Sequence, residues 1–274
     1  GDKILAAYAV AKHWQVEADL NNDIIGGIAG ENGVIDNSRV RVFSQGTKSN
    51  ETLQQARYRN YTGGEVDSPS RNLARFIATL APRYVTNLSV QMIYRTDRYG
   101  RGGDQVAFLN AGYPAVRFTE PNENYHHQHQ DLRTVNGIRY GDTINHVNFP
   151  YLAKVTALNA VTMAALAQAP APPAKLRISG AVTPNTTLSW QPVAGATSYL
   201  LRWRDTTAPQ WQYSRWVPIS ALRHEAHGRI AYTLKNIVID NYFFGVSSVS
   251  ADGYVSPAEF PGFAGSFRRS PPVT

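Results

Sequence analysis

The chain contains no cysteine. Disulfide scaffolds, cysteine-ligated zinc and thiol catalysis are therefore excluded. Charge is sparse, at 17% of residues, and the 27 Lys/Arg form no dense block, which speaks against a nucleic-acid-binding surface. Long apolar runs are missing too. None approaches the roughly 18 residues that cross a bilayer. The most apolar stretch, YLAKVTALNAVTMAALAQA from Tyr151, is interrupted by Lys154, Thr156, Asn159 and Thr162. No Gly-x-Ser-x-Gly elbow supports a serine hydrolase, and no GxxxxGK[ST] loop or dinucleotide glycine fingerprint supports nucleotide binding. HExxH is absent as well. The first residues, GDKILAAYAVAKHW, have neither the apolar core nor the cleavage site of a signal peptide. They read as an amphipathic helix with Ile4, Leu5, Tyr8 and Val10 among small residues.

What is present is 274 residues with 43% hydrophobic content, enough for one large or two ordinary cores. The net charge of +7 is uneven: residues 1–174 hold 17 Lys/Arg against 15 Asp/Glu, and residues 175–274 hold 10 against 5. QAPAPPAKL, from Gln168, is rich in Pro and Ala and suits a semi-rigid linker. Before it, helix and strand signals alternate. VEADLNNDIIGG reads as a buried strand ending at Asn22–Asp23, and RVRVFSQ alternates with period two. SPSRNLARFIATLAPRY starts a helix with Ser68 as N-cap and Pro69 first, placing Leu73, Phe76, Ile77 and Leu80 on one face. LSVQMIYRT is a strand, the loop DRYGRGGDQ leads through Asp104 as a cap into the short helix VAFLNAG, the strand AVRFTE follows, and a last helix spans about 149–167. This alternation predicts an α/β layer with a mostly parallel sheet. Chemistry then gathers at the carboxyl ends of strands, where Asp23, DRYGRGGD and PNENYHHQHQD could converge. After the linker, TTLSWQPV, SYLLRWRD, WQYSRWV, AYTLKN and YFFGVSSVS are short alternating runs, the pattern of an all-β sandwich with Trp190 and Tyr199 as core anchors.

PNENYHHQHQD, Pro121 to Asp131, concentrates His126, His127, His129 and Asp131. Imidazole and carboxylate both ligate zinc; read alone, the loop is either a ligand source or a solvated turn. Asp23 is likewise either a ligand at a strand tip or a turn-forming aspartate. The glycines of DRYGRGGDQ suit the tight wall of a pocket.

In order, LNNDIIG, RGGDQVAFLNAGYPAVRFTE and NYHHQHQD resemble the di-zinc exopeptidases of bacterial aminopeptidase type, peptidase family M twenty-eight, over about residues 1–168. From Leu176 to about Gly262, LSW, ATSYLLRWR and YFFGVSSVSADGYVSP resemble a fibronectin type III module. The resemblance implies a mixed, mostly parallel sheet flanked by helices, of zinc-exopeptidase type, with a C-terminal β-sandwich. It divides the chain into a peptidase portion at 1–168, a linker at 169–175, the sandwich at 176–262 and a polar tail at 263–274. It also implies two zinc ions about 3.5 Å apart, with Asp23 a terminal ligand of one. His126, which follows Tyr125, would ligate the other; His127, four residues before Asp131, is the alternative. Tyr99 matches the position of an oxyanion donor. The substrate would be a peptide, cleaved at its N-terminal residue.

The sequence departs from that family twice. Gln105 stands where a histidine usually follows the aspartate. The family's first histidine, bridging aspartate and Glu-Glu pair all lie upstream of the NND strand, so the chain resembles the C-terminal part of such an enzyme. Its partner would be the missing N-terminal half of the peptidase domain. A catalytically inactive binding protein is the alternative, as is an interaction or tethering module acting through the sandwich, where Trp203, Trp211 and Trp216 could form an aromatic platform. A sandwich appended to a peptidase suggests, by analogy, a secreted or periplasmic protein. Since one ligand per ion cannot hold a di-zinc centre, the 274 residues by themselves are expected to hold zinc at well below one ion per chain and to cleave no peptide. Elemental analysis showing stoichiometric zinc would overturn this.

Overall fold

The computed structural model describes residues 1–261; the tail expected at 263–274 lies outside the described residues. In chain order the elements are α1 (Asp2–Ala11), β1 (Asp19–Asn22), β2 (Arg39–Phe43), α2 (Leu53–Thr62), α3 (Pro69–Tyr84), β3 (Ser89–Ile93), α4 (Gln105–Asn110), β4 (Ala115–Thr119), β5 (Arg133–Val135), β6 (Ile138–Tyr140) and α5 (Phe149–Gln168). Then come β7 (Arg177–Ser179), β8 (Thr186–Trp190), β9 (Ser198–Asp205), β10 (Tyr213–Pro218), β11 (Arg223–Glu225), β12 (Arg229–Leu234) and β13 (Tyr242–Val249). Two compact units emerge, residues 1–45 with 74–163, and residues 46–73 with those from Ala164 onward. The chain changes unit between Met163 and Ala164, inside α5 and ahead of the Pro/Ala stretch, and residues 46–73, expected with the first portion, fall in the second unit.

The first unit holds a four-stranded sheet in the order β1-β4-β2-β3. β1 pairs parallel with β4, and β2 with β3, while β2 and β4 are antiparallel. The sheet is thus mixed and mostly parallel, as its sequence pattern predicts. In β2 the alternation of RVRVF buries Val40 and Val42 completely. All five residues of β4 are buried, as expected of a strand flanked on both sides and covered on both faces. Ser68 caps α3, its Oγ accepting the Arg71 N–H at 3.1 Å. Leu73, Phe76, Ile77 and Leu80 are buried as the periodicity requires.

Two local expectations fail. In α1 the buried residues are Ala6 and Ala9, while Ile4, Leu5, Tyr8 and Val10 are exposed. The helix packs on α4, and alanine permits closer approach than the larger side chains would. Asp104 makes no capping hydrogen bond because its backbone is already helical (φ −65°, ψ −29°), whereas a capping residue is extended. α5 is long and apolar enough to cross a membrane by length and composition alone. This corrects the expectation that no stretch approaches that length; 28% of the apolar window is buried, Tyr151, Val155 and Leu158 among it, and Lys154 donates to the carbonyls of Asn37 and Asn87.

The second unit contains a sheet β10-β9-β13 facing a sheet β11-β12-β8-β7. Every pairing is antiparallel. Inward residues of both, including Leu188, Trp190, Leu201, Phe244 and Val246, form one core; this is the β-sandwich. Trp190 and Tyr199 meet edge to face at 5.0 Å, and Trp203 is core as well. Residues 46–73 are joined to this unit by a buried ion pair. Arg204 Nη2 lies 2.6 Å from Asp67 Oδ2, with both side chains 1% exposed or less. Arg204 also donates to the Ala208 carbonyl at 2.6 Å and lies over the rings of Phe243 and Trp211. Removing one partner of such a pair strands a charge in the interior. Asp67→Asn is therefore predicted to cost about 3–5 kcal/mol of unfolding free energy, measured by denaturant titration, with Arg204→Met in the same chain recovering much of the loss. A single variant as stable as the parent would refute the pair's role.

Candidate functional site

β1 and β4 run side by side in the same direction, so the segments that leave them emerge together. Asp23 follows β1 at once, its N–H donating to the Phe118 carbonyl at 3.3 Å. Ile24 has a left-handed backbone (φ +60°), a conformation costing a β-branched residue roughly 1–3 kcal/mol. Its carbonyl is held by the Thr119 hydroxyl at 3.0 Å and the Glu120 N–H at 2.9 Å. This sharp turn opens a cavity of about 790 Å³ whose lining includes Asp23, Glu120, His127, His129, Asp142 and His146.

Behind Asp23 lies a buried ionic network. Arg117 on β4 has no exposed side-chain surface and reaches Asp23 Oδ2 at 2.9 Å and Asp97 Oδ2 at 3.4 Å. Gln105 donates to Asp97 Oδ2 at 2.6 Å and accepts from the Asn21 amide at 2.8 Å. Burial alone would raise the Asp97 carboxyl; the hydrogen bonds from Gln105 and the Arg98 N–H, with the charge of Arg117, hold it below its usual range. Glu123 gathers Arg41 at 2.6 Å, Arg101 at 2.9 Å and Arg98 at 3.5 Å. Here too burial would raise the carboxyl, and Arg41 and Gln128 pull it down. The departure at Gln105 is thus a structural linkage: a neutral amide that donates to one side chain and accepts from another. The loop 94–104 joins the site through this network. β3 runs antiparallel to β4, so this loop does not start from a shared carboxyl edge, contrary to expectation; it leaves β3 at Ile93, which the register through Phe43 places level with Arg117.

The histidines separate. His127 lines the cavity with Asp23, its ring stacked on His146 at 3.4 Å and its Nδ1 buried without a hydrogen-bond partner among the described residues. Burial and the nearby His127 both lower the His146 imidazole. His129 Nε2 approaches Asp23 Oδ1 at 3.2 Å. His126 is not among the lining residues; its Nε2 lies 3.6 Å from Glu31 and its ring meets Tyr140 edge to face at 4.9 Å. Tyr99 is 87% exposed under Arg95 and lies off the cavity. Asp131 and Tyr125 do not line it either. Glu120, Asp142 and His146 line it without having been singled out in the sequence. Glu120 ends a strand in the same way as Asp23, a usable signal; His146 sits alone in a short 3-10 turn and gives none.

Zinc ligation fits these residues only in part. Both Asp23 oxygens already face cationic or imidazole partners, and among the described residues no three His, Asp or Glu side chains converge to hold an ion. The donor chemistry is suitable, but the described residues alone do not close a metal centre.

No protein-family model matches the chain. The chain is similar to curated fungal proteins named probable zinc metalloprotease. That of Pyrenophora tritici-repentis is 42% identical over 266 residues, covering 95% of this chain and 53% of the relative. That of Leptosphaeria maculans is 44% identical over 250 residues, covering 90% and 56%. That of Pyricularia oryzae is 42% identical over 255 residues, covering 90% and 49%. The chain thus spans about half the length of the curated relatives it matches. Among solved structures, the fn3 domain of human collagen alpha-1(XX) chain aligns at 23% identity and a TM-score of 0.28, covering 39% of this chain and 95% of that one.

Glu120 yields a pH test. Glu120 is 6% exposed, and burial pushes its carboxyl from 4.5 up to about 7 against the one hydrogen bond that it takes among the described residues, from Gly27. A folded value above the unfolded one means that the favourable contribution is complete below about 4.5 and lost as pH rises through about 7. Glu120→Gln is therefore predicted to leave stability unchanged near pH 4.5 and to raise it by about 2–3 kcal/mol near pH 8. Urea titrations of both proteins across that range check this; parallel curves would refute it.

Proposed function

We propose that this chain is part of a zinc-dependent exopeptidase that removes N-terminal residues from peptides. The observation that carries this reading is that Asp23 and His127, over a hundred residues apart in sequence, line one cavity. The similarity to proteins named probable zinc metalloprotease and the ordered LNNDIIG, RGGDQVAFL and NYHHQHQD segments support it. On this reading Asp23 and His127, in preference to His126, are the chain's donors to the metal centre, and the remaining donors and the general base come from the portion of the relatives that this chain does not span. Zinc would supply Lewis acidity toward the scissile carbonyl. The chain's own residues fix the donors: Arg117 and His129 hold the Asp23 carboxylate, and the His146 ring backs His127.

The partial fit keeps a second reading in play. With Asp23 already paired to Arg117 and His129, a peptidase fold that binds without cleaving would look the same. Release of nitroaniline from amino-acid anilides by the intact protein, abolished by a chelator and restored by zinc, is the expected result. Asp23→Asn and His127→Ala should each lower kcat/KM roughly 100-fold or more, while His126→Ala changes it little. An intact protein free of both metal and hydrolysis would leave the binding reading standing.

A further inference from the structure

The cavity of the first unit has a charge pattern that peptide hydrolysis as such does not need. Asp23, Glu120 and Asp142 line it with His127, His129 and His146, and among the described residues neither lysine nor arginine does, in a chain of net charge +7. Its apolar wall comes from Ile24, Ile25, Ile28, Val147, Leu152 and Val155.

Glu120 stands apart from the other two acids. Asp23 is taken up by Arg117 and His129, and Asp142 is exposed. Glu120 is 6% exposed, and among the described residues its carboxylate takes one hydrogen bond, from Gly27 N–H to Oε2 at 2.6 Å; Oε1 takes none. Arg41 is near, but its Nε donates to the Glu120 backbone carbonyl and its Nη2 to Glu123. Gly27 leaves the carboxylate room: a Cβ there would lie 2.7 Å from Oε2 and 2.8 Å from Oε1. A buried carboxylate without a counter-cation gains more from an entering cation than an exposed one does.

We propose that Glu120 is the specificity-determining group of this cavity and receives a primary ammonium carried on an aliphatic stem. The assignment rests on reading the cavity as the peptide site of an exopeptidase and adds the class of substrate. The stem lies along the isoleucine and valine wall, and the ammonium donates to Oε1. Two parts of a peptide carry this chemistry, a lysine side chain and the α-ammonium of the N-terminal residue.

Three probes of similar shape separate them in calorimetric titrations of the intact protein. Nα-acetyl-lysine amide carries only the side-chain ammonium, norleucine amide only the α-ammonium, and Nα-acetyl-norleucine amide neither. At least one charged probe should bind about tenfold or more tighter than the uncharged one. Glu120→Gln should remove that advantage and leave the uncharged probe unchanged. The charged probe that loses affinity identifies the source of the ammonium. Equal binding of all three to the unmodified protein, or none detectable at about 10 mM, overturns the proposal without any variant. So does a Glu120→Gln protein that keeps the charge preference or weakens all three probes alike. Anilide hydrolysis with no charge preference would remove the role of Glu120 and spare the peptidase reading. Charge-selective binding without hydrolysis would do the reverse.

Discussion

A buried guanidinium organises the first unit. Arg117 sits on β4, the strand enclosed on both sides, and has no exposed side-chain surface. A charge in that position is tolerable only when surrounded by acceptors. Asp97, Asp23 and the Gly102 carbonyl supply them. Asp23 belongs to the turn after β1, and Asp97 and Gly102 to the glycine-rich loop, so satisfying one cation draws the two segments together. Gly103 completes the fit, because any side chain there would collide with Arg117 and Gln105. The carboxylate at the strand tip is therefore oriented by the interior of the sheet, not by the solvent it faces.

Electrostatics then divides the acids of the site by their surroundings. Glu123 and Asp97 are surrounded by arginines and hydrogen-bond donors and stay ionised. Glu120, three residues from Glu123, has among the described residues only the Gly27 N–H on its carboxylate and no arginine in hydrogen-bond contact with it, and burial pushes it up to about 7. Asp19, on β1, is pushed up to about 6 by burial and by Asp104. Two kinds of carboxyl thus occur in the first unit, those held ionised by arginines and donors and those raised by burial, of which Glu120 lines the cavity and Asp19 does not.

How far the sequence foretold this depends on the kind of signal. Elements with clean periodicity or caps were legible: β2, the Ser68-capped α3, and the alternating strands of the sandwich lie where their patterns place them. The Asn136–Gly137 turn, with φ of +50° and +80°, joins β5 to β6; asparagine-glycine is a strong hairpin signal. α1 misled because its apolar side chains are many while its packing uses alanine. That Asp23 follows a strand was legible from the pattern of β1; which of His126 and His127 lines the cavity was not, since adjacent residues differ only in which way a loop turns them. Arg117 gave no warning, because a charged residue inside AVRFTE resembles the outward half of an alternating strand until the partners on other loops are known.

The pairing of Asp67 with Arg204 bears on biogenesis. The two residues are 137 positions apart, so an aspartate destined for the interior leaves the ribosome long before its counter-ion. At ordinary elongation rates the interval is about seven to thirty seconds. Throughout it the stretch 46–73 has no completed sandwich to join, although residues on both sides of it belong to the other unit. The nascent polypeptide must hold this loop open, solvated or chaperoned, until the last β-strands are made.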